Sequence, residues 1–173
     1  MSSRSESSHT ESTRTELVTE ALLRDWPLPA AGDSKYSRGN VLVVGGAPRS
    51  PGAAILAGTA ALRVGAGRLT LAVADSVAPH VAVAMPECAV IPLQESNGTI
   101  AADSLVGARD DLAGADAVLL GPGLDDAEQS ERMVRLLPEL VSDGATVVLD
   151  AFALGVLPRV TPDALRGRLV LTF

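Results

Sequence analysis

The sequence predicts an α/β protein with a mainly parallel, doubly wound sheet and helices on both faces, and three observations carry that prediction. Short runs of β-branched and aliphatic residues alternate with helical segments, the pattern of right-handed βαβ crossovers. Runs such as Val41-Leu42-Val43-Val44 are apolar at every position, as strands covered on both faces require. Aromatic residues are 2% of the chain against 47% hydrophobic residues overall, so Ala, Val and Leu must build the core, which suits close helix-on-sheet layers. A length of 173 residues matches a single domain.

The elements follow in order. Met1 to about Thr15 is mostly Ser, Thr, Glu and Arg with little to bury, and is read as a disordered tail. A short helical pattern covers Leu17 to Leu23, Trp26-Pro27-Leu28-Pro29 breaks it, and the folded body is expected from Lys35, dividing the chain into residues 1–34 and 35–173. After the strand at Val41, Ala53 to Val64 reads as a helix stopped by Gly65-Ala66-Gly67. Leu69 to Val73 is the second strand, Val77 to Met85 a helix, and Cys88 to Leu93 a third strand. Asp103 is expected to cap a helix to about Leu112, followed by a buried strand at Ala117 to Leu120. Glu128 to Val141 is amphipathic, with Met133, Leu136, Leu137 and Leu140 inward. Thr146 to Leu149 makes a fifth strand, Pro162 to Leu165 a last helix, and Leu169 to Phe173 a sixth strand.

Charge and side-chain chemistry exclude several function classes. Lys and Arg number 14 against 21 Asp and Glu, a net charge of −7, and the basic residues are scattered, so no nucleic-acid footprint is present. One cysteine, Cys88, and two histidines, His9 and His80, cannot assemble a disulfide framework or a Cys/His zinc site, and both Cys88 and His80 are assigned to structure. No apolar run reaches membrane-spanning length, so a soluble protein of the reducing cytoplasm is expected.

Two glycine-rich loops stand at strand ends. Gly45-Gly46-Ala47-Pro48-Arg49-Ser50-Pro51-Gly52 fails both common nucleotide fingerprints, because Ala47 takes the second glycine position and no Gly-Lys-Ser/Thr follows. Its two prolines and glycines still suggest a shaped anion or nucleotide pocket at a helix start. Gly121-Pro122-Gly123-Leu124 ends another buried strand at the same edge, either as a second pocket wall or as a plain turn. Asp150 ends the strand at Thr146 to Leu149, where it holds a metal or substrate hydroxyl or, the plainer reading, caps the next turn. Arg49 is either a phosphate contact or a solvated loop cation.

In order and spacing, these residues resemble a known family. Lys35-x-x-x-Gly39-x-Val41-Leu42-Val43-Val44-Gly45-Gly46, Pro51-Gly52-Ala53-Ala54, Ala61-Leu62-Arg63-x-Gly65-Ala66-Gly67-x-x-Thr70, Pro86-Glu87, Gly121-Pro122-Gly123-Leu124 and Asp150-Ala151-x-Ala153-Leu154 are similar to the N-terminal half of the NAD(P)H-hydrate dehydratases, of the ribokinase-like superfamily. The resemblance implies ADP-dependent repair of S-configured NAD(P)H hydrate, in which phosphorylation of the hydroxyl and loss of phosphate restore the nicotinamide ring. It implies Pro51, Gly52, Ala53, Ala54 and Gly123 as pocket wall, with Gly46, Gly121 and Asp150 completing the substrate-binding set, and no catalytic or metal-binding residue within the chain. ADP and Mg2+ are the implied donor and ion, and a homo-oligomer the implied assembly.

Two departures qualify the resemblance. Phe152 stands where the family carries a second Asp, in Asp-Ala-Asp-Ala-Leu. The family's Thr-Pro-His-Pro-Gly-Glu segment, donor site and Gly-Thr-Gly-Asp motif, which bear the base and anion hole, lie beyond Thr172, so this chain alone is expected to be inactive and C-terminally truncated. Two alternatives remain: a non-catalytic dinucleotide-binding fragment, and a related ribokinase-like small-molecule kinase.

Overall fold

A computed structural model describes residues 17–26, 32–160, 165 and 168–172. The expected tail from Met1 to Thr15, the Pro27–Pro29 break, Phe173 and most of the Pro162 to Leu165 helix lie outside the described residues. The chain divides into two units, residues 1–31 and 32–173. In the first, helix α1 spans Glu20–Asp25 rather than starting at Leu17, because the Thr19 side chain accepts the Leu22 N–H and sets the start there.

The second unit holds a six-stranded parallel sheet of β1 Asn40–Val44, β2 Arg68–Ala74, β3 Ala89–Leu93, β6 Ala117–Leu120, β7 Thr146–Leu149 and β8 Leu169–Leu171, in the order β3-β2-β1-β6-β7-β8. A short antiparallel pair, β4 Glu95–Ser96 and β5 Thr99–Ile100, forms a separate hairpin. The helices are α2 Pro51–Arg63, α3 Ala78–Ala84, α4 Arg109–Ala113 and α5 Ala127–Leu140, with 3-10 segments at Ala102–Ala108 and Ala151–Arg159.

The apolar runs do what two-sided burial demands. Val43, Leu71 and Val73 pack with Ala54, Val81 and Met85 on the face covered by α2 and α3. Leu42, Val44, Ala72, Leu120 and Leu149 face the opposite layer, where Met133, Val134, Leu137 and Leu140 of α5 meet Leu105 and Leu112. Each fully buried Leu, Val or Met contributes roughly 1.5–3 kcal/mol over the exposed state. Gly58 lets α2 lie close to β2, since a Cβ there would come within 2.9 Å of Leu69 Cδ2.

Several expectations shift. Helix α2 begins at Pro51, two residues before Ala53, because a proline at the first helical position already has the helical φ and needs no N–H acceptor. The helix expected to start at Asp103 is a 3-10 segment that leads into the short α4; Ala101 precedes it without a side-chain cap, and Asp103 pairs with Arg132 instead. The β4–β5 hairpin turns at Asn97-Gly98, both with positive φ (54° and 80°), which is the Asn-Gly hairpin signal overlooked in the sequence. Strand β8 ends at Leu171, with Val170 47% and Leu171 37% exposed on the edge of the sheet.

Candidate functional site

Strand order reverses between β1 and β6: from β1 the chain steps through β2 to β3, and from β6 it steps the other way through β7 to β8. Open α/β sheets bind ligands outside the carboxyl ends of the strands at such a switch point. Both glycine-rich loops start there, one after β1 and the other after β6.

Backbone hydrogen bonds tie the two loops to each other and to the adjoining strand ends. The Gly46 N–H donates to Pro122 O at 2.8 Å, the Ala47 N–H to Gly123 O at 2.9 Å, the Gly45 N–H to Ala72 O at 3.1 Å and the Gly121 N–H to Val44 O at 3.1 Å. Only glycine permits these approaches: a Cβ on Gly45 would sit 2.1 Å from Pro122 O, and one on Gly121 would sit 1.9 Å from Asp150 O. These loop N–H groups are thus committed, those of Gly46 and Ala47 to the other loop and those of Gly45 and Gly121 to the ends of β2 and β1. Gly46, Gly121 and Gly123 shape the floor, and Gly46 and Gly121 are buried in it.

What remains open is the start of α2. Ser50 precedes it without a side-chain cap, Pro51 has no N–H, and Gly52 is exposed with nothing within 4 Å of where its Cβ would stand. The Ala53 N–H is taken by Ser50 O at 3.3 Å; the first N–H groups of a helix otherwise have no intrahelical acceptor, and the dipole there favours negative charge. Ala53 is half-buried and Ala54 buried beneath. The other helix start beside the switch point, that of α5, is already closed: the Asp126 carboxylate accepts the Gln129 N–H at 2.8 Å. Of the two helix starts beside the switch point, that of α2 is the one that offers room.

Asp150 ends β7. Its side chain does not cap the following 3-10 segment, as the plainer sequence reading had it; its carbonyl accepts the Ala153 N–H at 3.0 Å, while its carboxylate accepts the Thr172 hydroxyl. Asp150 is therefore tied to the end of β8 rather than to the turn. Beside it Ala151 has φ +45°, and the half-exposed Phe152 lines an apolar hollow with Ala127, Val156 and Arg159. Arg49 is exposed in the loop.

His80 is exposed on α3. Burial pushes the Cys88 thiol up, with the nearby Glu87 adding to the rise, and its Sγ donates to Met85 O at 3.1 Å, so it behaves as a structural thiol. Among the described residues no cluster of three or more His, Cys, Asp or Glu side chains could hold a metal ion. No described helix is long and apolar enough to cross a membrane.

Comparison with known proteins matches this arrangement. Residues 41–172 match the NAD(P)H-hydrate dehydratase family, a span that includes both loops and Asp150. An ADP-dependent (S)-NAD(P)H-hydrate dehydratase from Xanthomonas campestris is 46% identical over 148 residues, covering 82% of this chain and 48% of that protein. A bifunctional NAD(P)H-hydrate repair enzyme from Dictyoglomus turgidum is 35% identical over 150 residues, covering 85% of this chain and 29% of its own. The chain thus spans about half the length of the first relative and less of the second. Among solved structures, a ribokinase-like protein from Enterococcus faecalis shares the fold at TM-score 0.69 and 19% identity, covering 85% of this chain and 49% of that one. The ADP/ATP-dependent NAD(P)H-hydrate dehydratase from Bacillus subtilis, crystallized with ATP and Mg2+, superposes at TM-score 0.54 and 28% identity, covering 75% and 43%. By the match across residues 41–172, the parallel sheet and the paired loops at its switch point, this chain belongs to the NAD(P)H-hydrate dehydratase family.

Proposed function

We propose that this chain supplies the substrate-holding part of an ADP-dependent (S)-NAD(P)H-hydrate dehydratase, acting on the hydrated cofactor of the cytoplasm. The observation that carries the reading is the 46% identity to the Xanthomonas enzyme across a segment that folds into an open helix start at a switch point.

In this reading the pyrophosphate of the hydrated dinucleotide meets the N-terminus of α2 over Pro51, Gly52 and Ala53, with Ala54 beneath. Gly123 forms the facing wall, Gly46 and Gly121 hold the two walls at their spacing, and Asp150, oriented by Thr172, presents a carboxylate at the rim. ADP phosphorylates the substrate hydroxyl, and loss of phosphate then restores the ring. Such transfer depends on charge stabilisation and alignment, which this reading assigns to the length of the relatives beyond the matched half. The described residues offer Mg2+ no ligand cluster, and no step assigned to this chain runs through it.

Calorimetric titration of the 173-residue chain with hydrated NADH tests the reading, with and without ADP and Mg2+. Binding without recovery of reduced-nicotinamide absorbance is the expected result. Undetectable binding would overturn the site, and robust turnover would overturn the division of labour between the halves.

A further inference from the structure

The proposed function, on which this inference rests, places the pyrophosphate of the hydrated dinucleotide and leaves both of its rings without a seat. The two rings differ in chemistry. Adenine is flat and aromatic, whereas hydration removes a double bond from the dihydronicotinamide ring and puckers it, so adenine is the ring that gains by stacking on an aromatic face. Aromatic residues are 2% of this chain. Among the described residues they are Trp26 in the first unit, Tyr36 ahead of β1 and Phe152 just past the end of β7. Of these, Phe152 is the one at the carboxyl ends of the sheet strands, where the candidate site lies.

The surroundings of Phe152 form a seat. Ala151 holds φ at +45°, a left-handed conformation rare for a residue with a Cβ, and backbone strain of this kind gathers at ligand sites. Directly after it Phe152 is 37% exposed, while Ala153 is fully buried. Ala127, Ala151, Phe152, Gly155 and Val156 line a hollow of about 370 Å3, within the range of small-molecule sites, with Arg159 as its charged residue. Gly155 has nothing within 4 Å of where its Cβ would stand, so the space over it is open. The Arg159 side chain is exposed and pairs with no carboxylate among the described residues, and its carbonyl is held by Arg135 Nη2, which donates at 2.6 Å. A guanidinium presents a planar fork of N–H donors, the complement of the acceptor nitrogens on a purine edge.

The hollow adjoins the candidate site. A Cβ on Gly121 would stand 1.9 Å from Asp150 O and 3.2 Å from Ala153 Cβ, so the segment that bears Phe152 packs against the loop after β6. Across the hollow, Ala127 opens α5 four residues beyond Gly123, the wall that faces the start of α2. We propose that this hollow is the seat of the adenine ring of the hydrated dinucleotide, stacked on Phe152 with Arg159 along its edge. The seat is this chain's own: the resemblance places an aspartate at position 152, and a carboxylate has no aromatic face to offer.

Titration of the 173-residue chain with AMP, followed by amide NMR shifts, tests the seat with a probe that carries adenine and no nicotinamide. Shifts are expected at Ala127 and at residues 151–156, and saturating hydrated NADH should displace the AMP. Phe152→Ala should raise the Kd of both AMP and hydrated NADH by about tenfold. Gly155→Leu, which fills the open space without removing any contact, should do the same with the melting temperature held. Hydrated reduced nicotinamide mononucleotide, which lacks adenosine, should bind wild type and Phe152→Ala equally. Free ADP carries the same ring, so AMP that shifts these amides and is not displaced by hydrated NADH would assign the hollow to the free nucleotide and overturn the proposal. AMP shifts that spare these residues, or hydrated NADH bound equally by wild type and both variants, would also overturn it while leaving the proposed function standing. Failure of wild type to bind hydrated NADH at all would overturn the proposed function and this seat with it.

Discussion

Gly45 and Gly52 open and close the same loop and serve opposite ends. Around Gly45, and around Gly121 across the switch point, carbonyl oxygens stand where a side chain would be, so the missing Cβ holds the two loops at one spacing. Around Gly52 there is empty space. A glycine needed for internal packing and a glycine that leaves a helix start bare look alike in composition, yet only the second leaves room for a ligand.

That contrast can be broken by substitution. Gly45→Ala or Gly121→Ala forces a methyl to about 2 Å from a backbone oxygen, and a stability loss of roughly 3–5 kcal/mol or outright failure to fold is expected in urea denaturation. Asp126→Ala removes the cap of α5 and should lower stability by about 1 kcal/mol; it also bares the second helix start, so any gain in dinucleotide affinity would show that capping alone had closed it. Gly52→Ala should raise stability by about 0.5 kcal/mol, because the helical backbone there suits alanine, while calorimetric binding of hydrated NADH falls. Should Gly52→Ala leave binding unchanged, the open helix start is not the substrate site.

The smallest effect concerns the edge of the same strand ends. Hydrogen bonds from Ser76, from its hydroxyl and then its backbone N–H, hold the Glu95 carboxyl below its usual 4.5. Because the folded value is lowered, this contribution to stability is present above pH 4.5 and is lost as the pH falls through the lower value. Glu95→Gln should therefore lower stability slightly at neutral pH, leave it unchanged at low pH where the carboxyl is protonated, and so flatten the acid limb of a stability-versus-pH curve.

Much of the fold was legible because burial leaves a plain trace. Val41 to Val44, Ala117 to Leu120 and Thr146 to Leu149 read as strands since both faces of the sheet are covered, and the stripe of Met133, Leu137 and Leu140 marked α5. The 3-10 segments at Ala102–Ala108 and Ala151–Arg159 were not legible as such, because their apolar residues face the core without helical spacing over a full α-helix. The site was half legible. Its loops announced themselves by glycine and proline, but the tie between Asp150 and Thr172 joins the ends of two strands that only sheet pairing brings together.

The sequence by itself determined the α/β class, the strand positions, the two loops and the family, since each rests on local pattern or on ordered motifs. Tertiary structure alone decided which loop N–H groups stay available. Hydrogen-bond partners such as Pro122 O and Ala72 O are remote from Gly46 and Gly45 in the chain, and a donor is free or committed only once the sheet has set its neighbours.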